Sequence, residues 1–358
     1  MSLSHRGAML SSNTDKLPSS RVKEYYPIMN TMRYVMALGV VISHFNLLCG
    51  ADIYFPISSY NCVGGFFALS GFLIVHTYRP NDFAGFVKCR AYRILPSYIQ
   101  VVILAAVLLY NFSKYDPSEY FINIGFWKYI AANLSFLNWL HPDLPGVFSD
   151  ESFKSSAVNG SLWTMKVEWL LYLSVPIFVW LTTRFSLRTN PFYIFIIIFS
   201  IGWKILFDWM YACTEEEIYT ILGRQVFGQL SFFYMGALLH TFRQTLHRYH
   251  IIIITVSIIL LLACDGLPYF TTILGAPLVS IIVIGISMTT YFPTVLHNHQ
   301  NISYEIYLSH WPILQILVAL NLQTLPHCVL IGISIISIIA VSVGIHAVSQ
   351  LILPKKNI

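Results

Sequence analysis

Long apolar stretches follow one another along almost the whole chain, and they limit its fold more than any other feature does. An α-helix needs about twenty predominantly apolar residues to cross a bilayer. Ten stretches can be placed, at 28–50, 61–79, 94–112, 161–182, 190–210, 225–242, 251–264, 270–291, 301–321 and 328–352. Only 10% of the 358 residues are charged, against about 25% in a soluble domain. The sequence therefore predicts an all-α, polytopic integral membrane protein with about ten transmembrane helices.

The distribution of basic residues predicts the orientation of these helices. Ten crossings put both termini on one side, and if that side is the cytosol the inner segments hold fourteen basic residues and the outer segments four. The inner residues are Arg6, Lys16, Arg21, Lys23, Arg79, Lys88, Arg90, Arg93, Arg184, Arg188, Arg243, Arg248, Lys355 and Lys356, and the outer ones are Lys114, Lys128, Lys154 and Arg224. Because cytosolic loops carry an excess of Lys and Arg, both termini are expected in the cytosol.

The chain divides into a short tail and one membrane domain. Residues 1–27 are polar and are interpreted as a cytosolic tail, and residues 28–353 as the membrane domain. One long loop, about 113–160, is expected on the outer side. Its aromatic part, 120–140, is predicted to form an interfacial or re-entrant helix. An eleventh crossing there would export six basic residues that otherwise face the cytosol.

Arg33 and His44 lie in the first apolar stretch with ten residues between them. Eleven helical steps bring His44 back to within roughly 20° of Arg33 and about 16 Å further along the axis. One helix face is therefore predicted to carry a fixed cation and, about half a bilayer away, an imidazole. Ionisable groups inside a membrane helix are costly, which makes them functional candidates. The structural alternative is an Arg that reaches the interface and a hydrogen-bonded core His.

Glu168 is the predicted partner of His44. Counted from the outer ends of their stretches, Glu168 is roughly 10 Å deep and His44 roughly 9 Å. A carboxylate that accepts from one imidazole nitrogen fixes the tautomer and makes the other nitrogen more basic. A packing role, with Lys166 or a neighbouring helix as partner, is the structural alternative. If Glu168 does not hold His44, Tyr172 and His310 are the next candidates.

Arg90 and Arg93 lie in the predicted cytosolic loop after the second stretch, on the same side as Arg33. Guanidinium groups suit phosphate oxygens, particularly several on one ligand. The three arginines therefore predict a phosphate-bearing ligand on the cytosolic side. The excess of basic residues in cytosolic loops also explains the pair of arginines in the loop.

Two further residues are candidates for a pocket. Ser70 lies in a run of small and aromatic residues, where close helix packing is the leading interpretation and a nucleophilic role the other. His310 precedes Pro312 and either lines a cavity or hydrogen-bonds a carbonyl that the proline frees. The six cysteines lack metal-ligand spacing, and no basic cluster indicates nucleic acid.

Together these segments resemble the acyltransferase-3 superfamily of bacterial integral-membrane acyltransferases. The matching positions are Arg33 and His44 of an Arg-X10-His pair, the stretch 65–72, Arg90 and Arg93 of an Arg-X-X-Arg pair, Leu162, Trp163, Glu168 and Tyr172 of one pattern, and Ser303, Tyr304, Tyr307, Leu308, His310 and Pro312 of another. The resemblance runs from about residue 26 to 352. Each motif is weak by itself, and five in this order are specific.

The resemblance implies a membrane-embedded acyltransferase of the bacterial inner (cytoplasmic) membrane. It implies cytosolic acyl-CoA as the donor, with Arg33, Arg90 and Arg93 near the coenzyme A phosphates and His44 as the central catalytic residue. Tyr172 and Tyr307 join Ser70 and His310 as candidate pocket residues. Some relatives carry a further hydrolase-like domain, so either the membrane domain acts alone or a partner protein completes the task.

We therefore expect transfer of an acyl group, in the simplest case acetyl from acetyl-CoA, to a hydroxyl of an envelope glycan or its lipid-linked precursor. His44, oriented by Glu168, would act as the base, and a transient acyl group on a side chain is the mechanistic alternative. No metal and no nucleic acid is expected, and a homo-oligomer stays open. The competing class is a transporter or flippase of lipid-linked sugars, but the halves of the sequence show none of the symmetry common in transporters.

Overall fold

The computed structural model describes residues 27–264, 267, 269–289 and 301–352, so residues 1–26 of the predicted tail lie outside the described part. The α-helices are α1 Pro27–Cys49, α2 Ser59–Ile74, α3 Phe83–Leu108, α4 Pro117–Ile122, α5 Ile124–Leu134, α6 Trp163–Arg184, α7 Thr189–Thr214, α8 Glu217–Gly223, α9 Val226–Thr241, α10 Arg243–Ala263, α11 Phe270–Ser287, α12 Ser303–Ala319 and α13 His327–Ile352. Short 3₁₀ turns extend α2 and α3 and precede α13. The all-α prediction is confirmed.

Eight of these helices are long and apolar enough to cross a membrane, namely α1, α2, α3, α6, α7, α10, α11 and α13. The other two predicted crossings form α9 and α12, which have 16 and 17 residues. Both helices are largely enclosed: α12 buries 13 of its 17 residues and α9 buries 10 of its 16, whereas α10 buries three of 21. A helix surrounded by protein does not have to reach across the hydrocarbon layer by itself, because neighbouring helices shield its ends.

The tightest packing in the bundle joins α2 to α9. A Cβ on Gly71 would lie 1.8 Å from the carbonyl oxygen of Phe233, and one on Gly236 would lie 2.0 Å from that of Ala68. Only glycine lets the two backbones approach this closely. The interpretation of residues 65–72 as a helix-packing stretch is therefore confirmed, since small residues at an interface are what brings membrane helices together.

The third predicted crossing begins earlier than the apolar pattern indicates. The structure starts α3 at Phe83, where Asp82 caps the helix by accepting a hydrogen bond from the Gly85 amide at 3.0 Å. Arg90 and Arg93 therefore lie on the first turns of α3, and their predicted position in a loop is wrong. Hydropathy marks the part of a helix that meets lipid, and it misses a polar extension that a side-chain cap starts.

The long connection between α3 and α6 folds back into the bundle. The Tyr120 hydroxyl donates to the Ala106 carbonyl at 2.8 Å, and the Tyr98 hydroxyl donates to the Asn133 carbonyl at 2.6 Å. The end of α5 therefore reaches about 12 Å along α3 from the level of α4. This arrangement favours the re-entrant alternative of the two that the sequence leaves open for residues 120–140.

Candidate active site

His44 and His310 meet where α1 packs on α12. His44 Nδ1 lies 2.7 Å from His310 Nε2, and the two ring planes differ by only 3°. His310 is fully buried. At the other end of this face, Arg33 Nη1 donates to Asn30 Oδ1 at 2.9 Å, and Asn30 Oδ1 also accepts from Asn301, just before α12, at 3.0 Å. The face of α1 that carries Arg33 and His44 therefore faces α12, or the residues just before it, at the level of each residue. This agrees with the helix face predicted from the spacing of Arg33 and His44.

Hydrogen-bond chemistry assigns the tautomers of the two histidines. His310 Nδ1 lies 3.2 Å from the carbonyl oxygen of Ile306, and a carbonyl oxygen can only accept. Neutral His310 therefore carries its proton on Nδ1 and leaves Nε2 as an acceptor. Nε2 receives the proton of His44 Nδ1, which leaves the lone pair of His44 on Nε2. Within the described part of the chain, no group hydrogen-bonds that nitrogen.

Trp311 holds the other side of the His44 ring. The Trp311 and His44 ring centroids are 4.7 Å apart in an edge-to-face arrangement, and Trp311 Nε1 donates to the Ala157 carbonyl at 3.0 Å. A Cβ on Gly160 would lie 2.6 Å from the Trp311 ring, so glycine is needed there. Trp311 is a contact that sequence reasoning missed, because nothing in the pattern links it to His44.

The hydrogen bond that α12 loses at Pro312 is replaced by one from the long connection before α6. Proline lacks an amide hydrogen and cannot bond the carbonyl four residues earlier, which is that of Leu308. Asn159 Nδ2 donates to this oxygen at 2.7 Å instead. His310, two residues before the proline, is therefore not needed to satisfy the freed carbonyl, and its Nε2 is available to His44.

A cavity of about 370 Å³ lies beside this pair, between α1, α2, α3, α6, α12 and α13. Five of the residues predicted from sequence line it: Arg33, Ser70, Arg93, Glu168 and Tyr307. His44 and His310 do not line it among the described residues, but Tyr307 connects the two features, because its ring centroid is 5.8 Å from that of His310. Tyr307 therefore stands between the cavity and the histidine pair and contacts both.

The three predicted phosphate-binding arginines do not share one environment. Arg33 and Arg93 face the cavity, whereas Arg90 is not part of its wall. The Arg90 guanidinium lies over the rings of Phe86 and Tyr172, with its carbon 5.6 Å and 6.0 Å from their centroids. Tyr172, another predicted pocket residue, is not part of the wall either, but its hydroxyl donates to the wall residue Glu168. Arg90 therefore lies behind the wall, against Tyr172.

Glu168 does not hold His44 in the structure. Its Oε1 accepts a hydrogen bond from the Tyr172 hydroxyl, and its side chain lines the cavity that also contains Arg33 and Arg93. The expected direct pair is therefore replaced by His44–His310, and His310 was one of the two alternatives.

The depth count failed because α6 does not begin at the membrane surface. Ser161 and Thr164, at the start of α6, hydrogen-bond to Tyr307 in the middle of the bundle, with Thr164 Oγ1 3.0 Å from the Tyr307 hydroxyl. Glu168 consequently reaches the level of Arg33 rather than that of His44.

A second polar group in the cavity wall was not identified from sequence. Its members are Glu305 on α12, Ser97 on α3, and His346, Ser349 and Gln350 on α13. Glu305 Oε1 accepts from Ser97 Oγ at 2.9 Å and from His346 Nδ1 at 3.1 Å. The rule that singled out Arg33 and His44 applies to this pair as well, since both are ionisable residues inside apolar stretches.

The side chains of this region suit the binding of an organic ligand that carries phosphate groups. In the part of the chain that the structure describes, no group of three or more His, Cys, Asp or Glu side chains has the arrangement of a metal site. The cavity is lined by two arginines, two glutamates, one histidine and eight side chains with a hydroxyl group, namely four serines, one threonine and three tyrosines. Beside it lies an imidazole with a free lone pair.

Comparison with known proteins identifies the family. The family model described as "Acyltransferase domain", that of the acyltransferase-3 family, matches residues 26–347. The chain therefore belongs to the acyltransferase-3 family, and the resemblance seen in the motifs is confirmed. With eight helices in its described part that are long and apolar enough to cross a membrane, the protein is an integral membrane member of this family.

Two curated relatives match parts of the chain. An "O-acetyl transferase" of Shigella phage Sf6 is 29% identical over 150 residues, which are 40% of this chain and 43% of that protein. "Protein 2 in picA locus" of Rhizobium radiobacter is 36% identical over 89 residues, 23% of this chain and 45% of that protein. The chain thus spans less than half the length of either relative. No solved structure matches it.

Proposed function

We propose that this protein transfers an acyl group, in the simplest case acetyl, from cytosolic acyl-CoA to a hydroxyl of an envelope glycan or its lipid-linked precursor. One observation carries the proposal: Tyr307, in the wall of a cavity lined by Arg33 and Arg93, contacts the histidine pair, in which no described residue hydrogen-bonds His44 Nε2. The similarity to a phage O-acetyl transferase supports the acetyl group and the hydroxyl acceptor.

The donor enters the cavity from the side on which α1, α3 and α12 begin and α13 ends. The bias of basic residues supports the cytosol as that side. Arg33 and Arg93 bind phosphate oxygens of the coenzyme A, because a guanidinium can donate two parallel hydrogen bonds to them. The thioester then extends past Tyr307 toward His44. The described residues offer cations where phosphates are expected and a base where the reaction is expected.

His44 acts as the general base of the transfer. Its Nε2 takes the proton of the acceptor hydroxyl while the hydroxyl oxygen attacks the thioester carbonyl carbon. The tetrahedral intermediate collapses by breaking the carbon–sulfur bond, and the proton on His44 passes to the leaving sulfur. The products are an ester and free coenzyme A. His310 Nε2 accepts from His44 Nδ1 throughout, which orients the ring and stabilises its protonated form.

The proposal is tested with purified protein and with cells. Purified protein in lipid nanodiscs is mixed with acetyl-CoA and a glycan and glycolipid extract of the cell envelope as the source of acceptor, and the free thiol of coenzyme A is followed in time. Mass spectrometry of envelope glycans from cells with and without the gene then gives the acceptor. We expect release of coenzyme A and a glycan mass increase of one acetyl group. No coenzyme A release together with an unchanged glycan profile would overturn the function.

A further inference from the structure

The cavity is lined by groups of opposite charge. Arg33 and Arg93 suit phosphate, whereas the carboxylates of Glu168 and Glu305 repel phosphate at close range. Glu305 is 5% exposed and lies in an apolar membrane segment, where an ionisable residue marks a ligand pathway by default.

Only half of the Glu305 carboxylate is used by the protein. Oε1 accepts from Ser97 Oγ at 2.9 Å and from His346 Nδ1 at 3.1 Å. Oε2 is buried and has no hydrogen-bond partner among the described residues. A buried carboxylate oxygen without a donor is unfavourable, and here it belongs to a side chain in the wall of a cavity. A ligand in the cavity that carries a hydrogen-bond donor at this level would satisfy it.

The position of Glu305 along α12 indicates which part of the ligand it meets. Tyr307 also lines the cavity, and His310, which holds His44, lies five residues or about 7.5 Å beyond Glu305. A donor whose phosphates lie at the arginines and whose thioester reaches His44 has its pantetheine arm between these points. That arm carries two amide N–H groups and a hydroxyl, all hydrogen-bond donors and none charged.

We propose that Glu305 binds the pantetheine arm of acyl-CoA by accepting a hydrogen bond from one of its N–H or O–H groups at Oε2. This inference rests on the proposed function, because it takes acyl-CoA as the ligand. Ser97 and His346 are positioning residues, since they hold Oε1 and thereby aim Oε2. Glu305 would bind the arm, while Arg33 and Arg93 would bind the phosphates of the nucleotide part.

The binding of two probes distinguishes the contribution of Glu305 from that of the arginines. Acetyl-CoA carries the phosphates and the arm, whereas S-acetylpantetheine carries the arm alone. Their affinities are measured by isothermal titration on the full chain in detergent, for wild type, Glu305→Gln and Arg93→Ala. Glu305→Gln is expected to weaken both probes by the same factor, about tenfold, the loss of one hydrogen bond to a charged group. Arg93→Ala is expected to weaken acetyl-CoA only. Glu119→Gln, an exposed glutamate on α4, is the matched control.

Several binding results would overturn the inference. Weakening of acetyl-CoA alone in Glu305→Gln would move the carboxylate to the nucleotide part. Unchanged affinities would make Glu305 a structural residue, and a wild type that does not bind S-acetylpantetheine would remove the arm site. If Glu305→Gln does not fold, Glu305→Asp keeps the charge and shifts the oxygens, and equal affinities for that variant and wild type would contradict the site. Since no turnover is needed, binding without acetyl transfer would reject the proposed function and leave this inference intact.

Discussion

The α2–α9 contact and the α1–α12 contact are both central, but they differ in kind: close backbone packing at glycines forms the first, and side-chain hydrogen bonds form the second. At α2–α9, Gly71 and Gly236 bring the backbones together, and the neighbouring side chains are apolar. At α1–α12, His44 bonds His310 and the Tyr34 hydroxyl accepts from the Ile302 amide at 3.0 Å. Close packing by small residues is sufficient to join membrane helices. The costlier polar contact is therefore best explained by chemistry rather than by stability.

The comparison predicts that the two contacts fail in different ways. An added side chain at α2–α9 is expected to prevent folding, because the obstacle is backbone. A removed side chain at α1–α12 is expected to leave the fold and stop the reaction, because the apolar part of the bundle remains.

Gly71→Leu is expected to abolish folded protein and with it all activity. Its Cβ would lie 1.8 Å from the Phe233 carbonyl oxygen, and no rotation of a side chain can relieve a clash with backbone. Size-exclusion chromatography in detergent and a thermal unfolding curve measure the result. Gly202→Leu is the matched control, because a Cβ at Gly202 meets nothing within 4 Å. A well-folded Gly71→Leu protein would contradict the need for glycine at the α2–α9 contact.

His44→Ala is expected to lower the rate of acyl transfer by about 10²–10⁴, the usual loss when a general base is removed, while the unfolding temperature stays close to that of wild type. The rate is measured by coenzyme A release with the acceptor present. His327→Ala, at the exposed start of α13, is the control for the substitution itself. Near-normal transfer by His44→Ala would remove the catalytic assignment.

His310→Ala is expected to lower the rate by a smaller factor, on the order of ten to a hundred, because the base remains and only its orientation is lost. His310→Gln is expected to recover part of that loss, since its amide oxygen can accept from His44 Nδ1 in place of the imidazole nitrogen. Rates of both variants at saturating acyl-CoA provide the measurement. Equal activity of the Ala and Gln variants would indicate a packing role for His310.

Arg93→Ala is expected to raise the KM for acyl-CoA about tenfold, since one charge-assisted contact to phosphate is lost. Arg90→Ala is expected to raise it less, because Arg90 does not line the cavity and packs on Tyr172 behind its wall. Lysine at position 93 is expected to restore part of the affinity, as it keeps the charge without the planar fork. Steady-state kinetics over acyl-CoA concentration separates the cases. A larger effect at Arg90 than at Arg93 would contradict the placement of the two.

Much of this protein follows from local sequence pattern. The apolar stretches predict the helices because a helix in lipid must satisfy its own backbone and cover itself with apolar side chains. The spacing of Arg33 and His44 predicts their shared face because helix geometry is regular. The family follows from the motifs, and the family model confirms it. The orientation of the termini and the acceptor stay predictions.

The partners of the site residues were decided by the tertiary structure. Glu168 was assigned to His44 by counting residues from a surface, but the connection before α6 enters the bundle first, so Ser161 already lies against Tyr307 and Glu168 meets Tyr172 instead. His346 reaches Glu305 across 41 residues of sequence by the packing of α13 on α12. Pattern specifies what each helix face carries. Which faces meet, and at what depth, depends on how the connections fold, because every loop shifts the register between neighbouring helices.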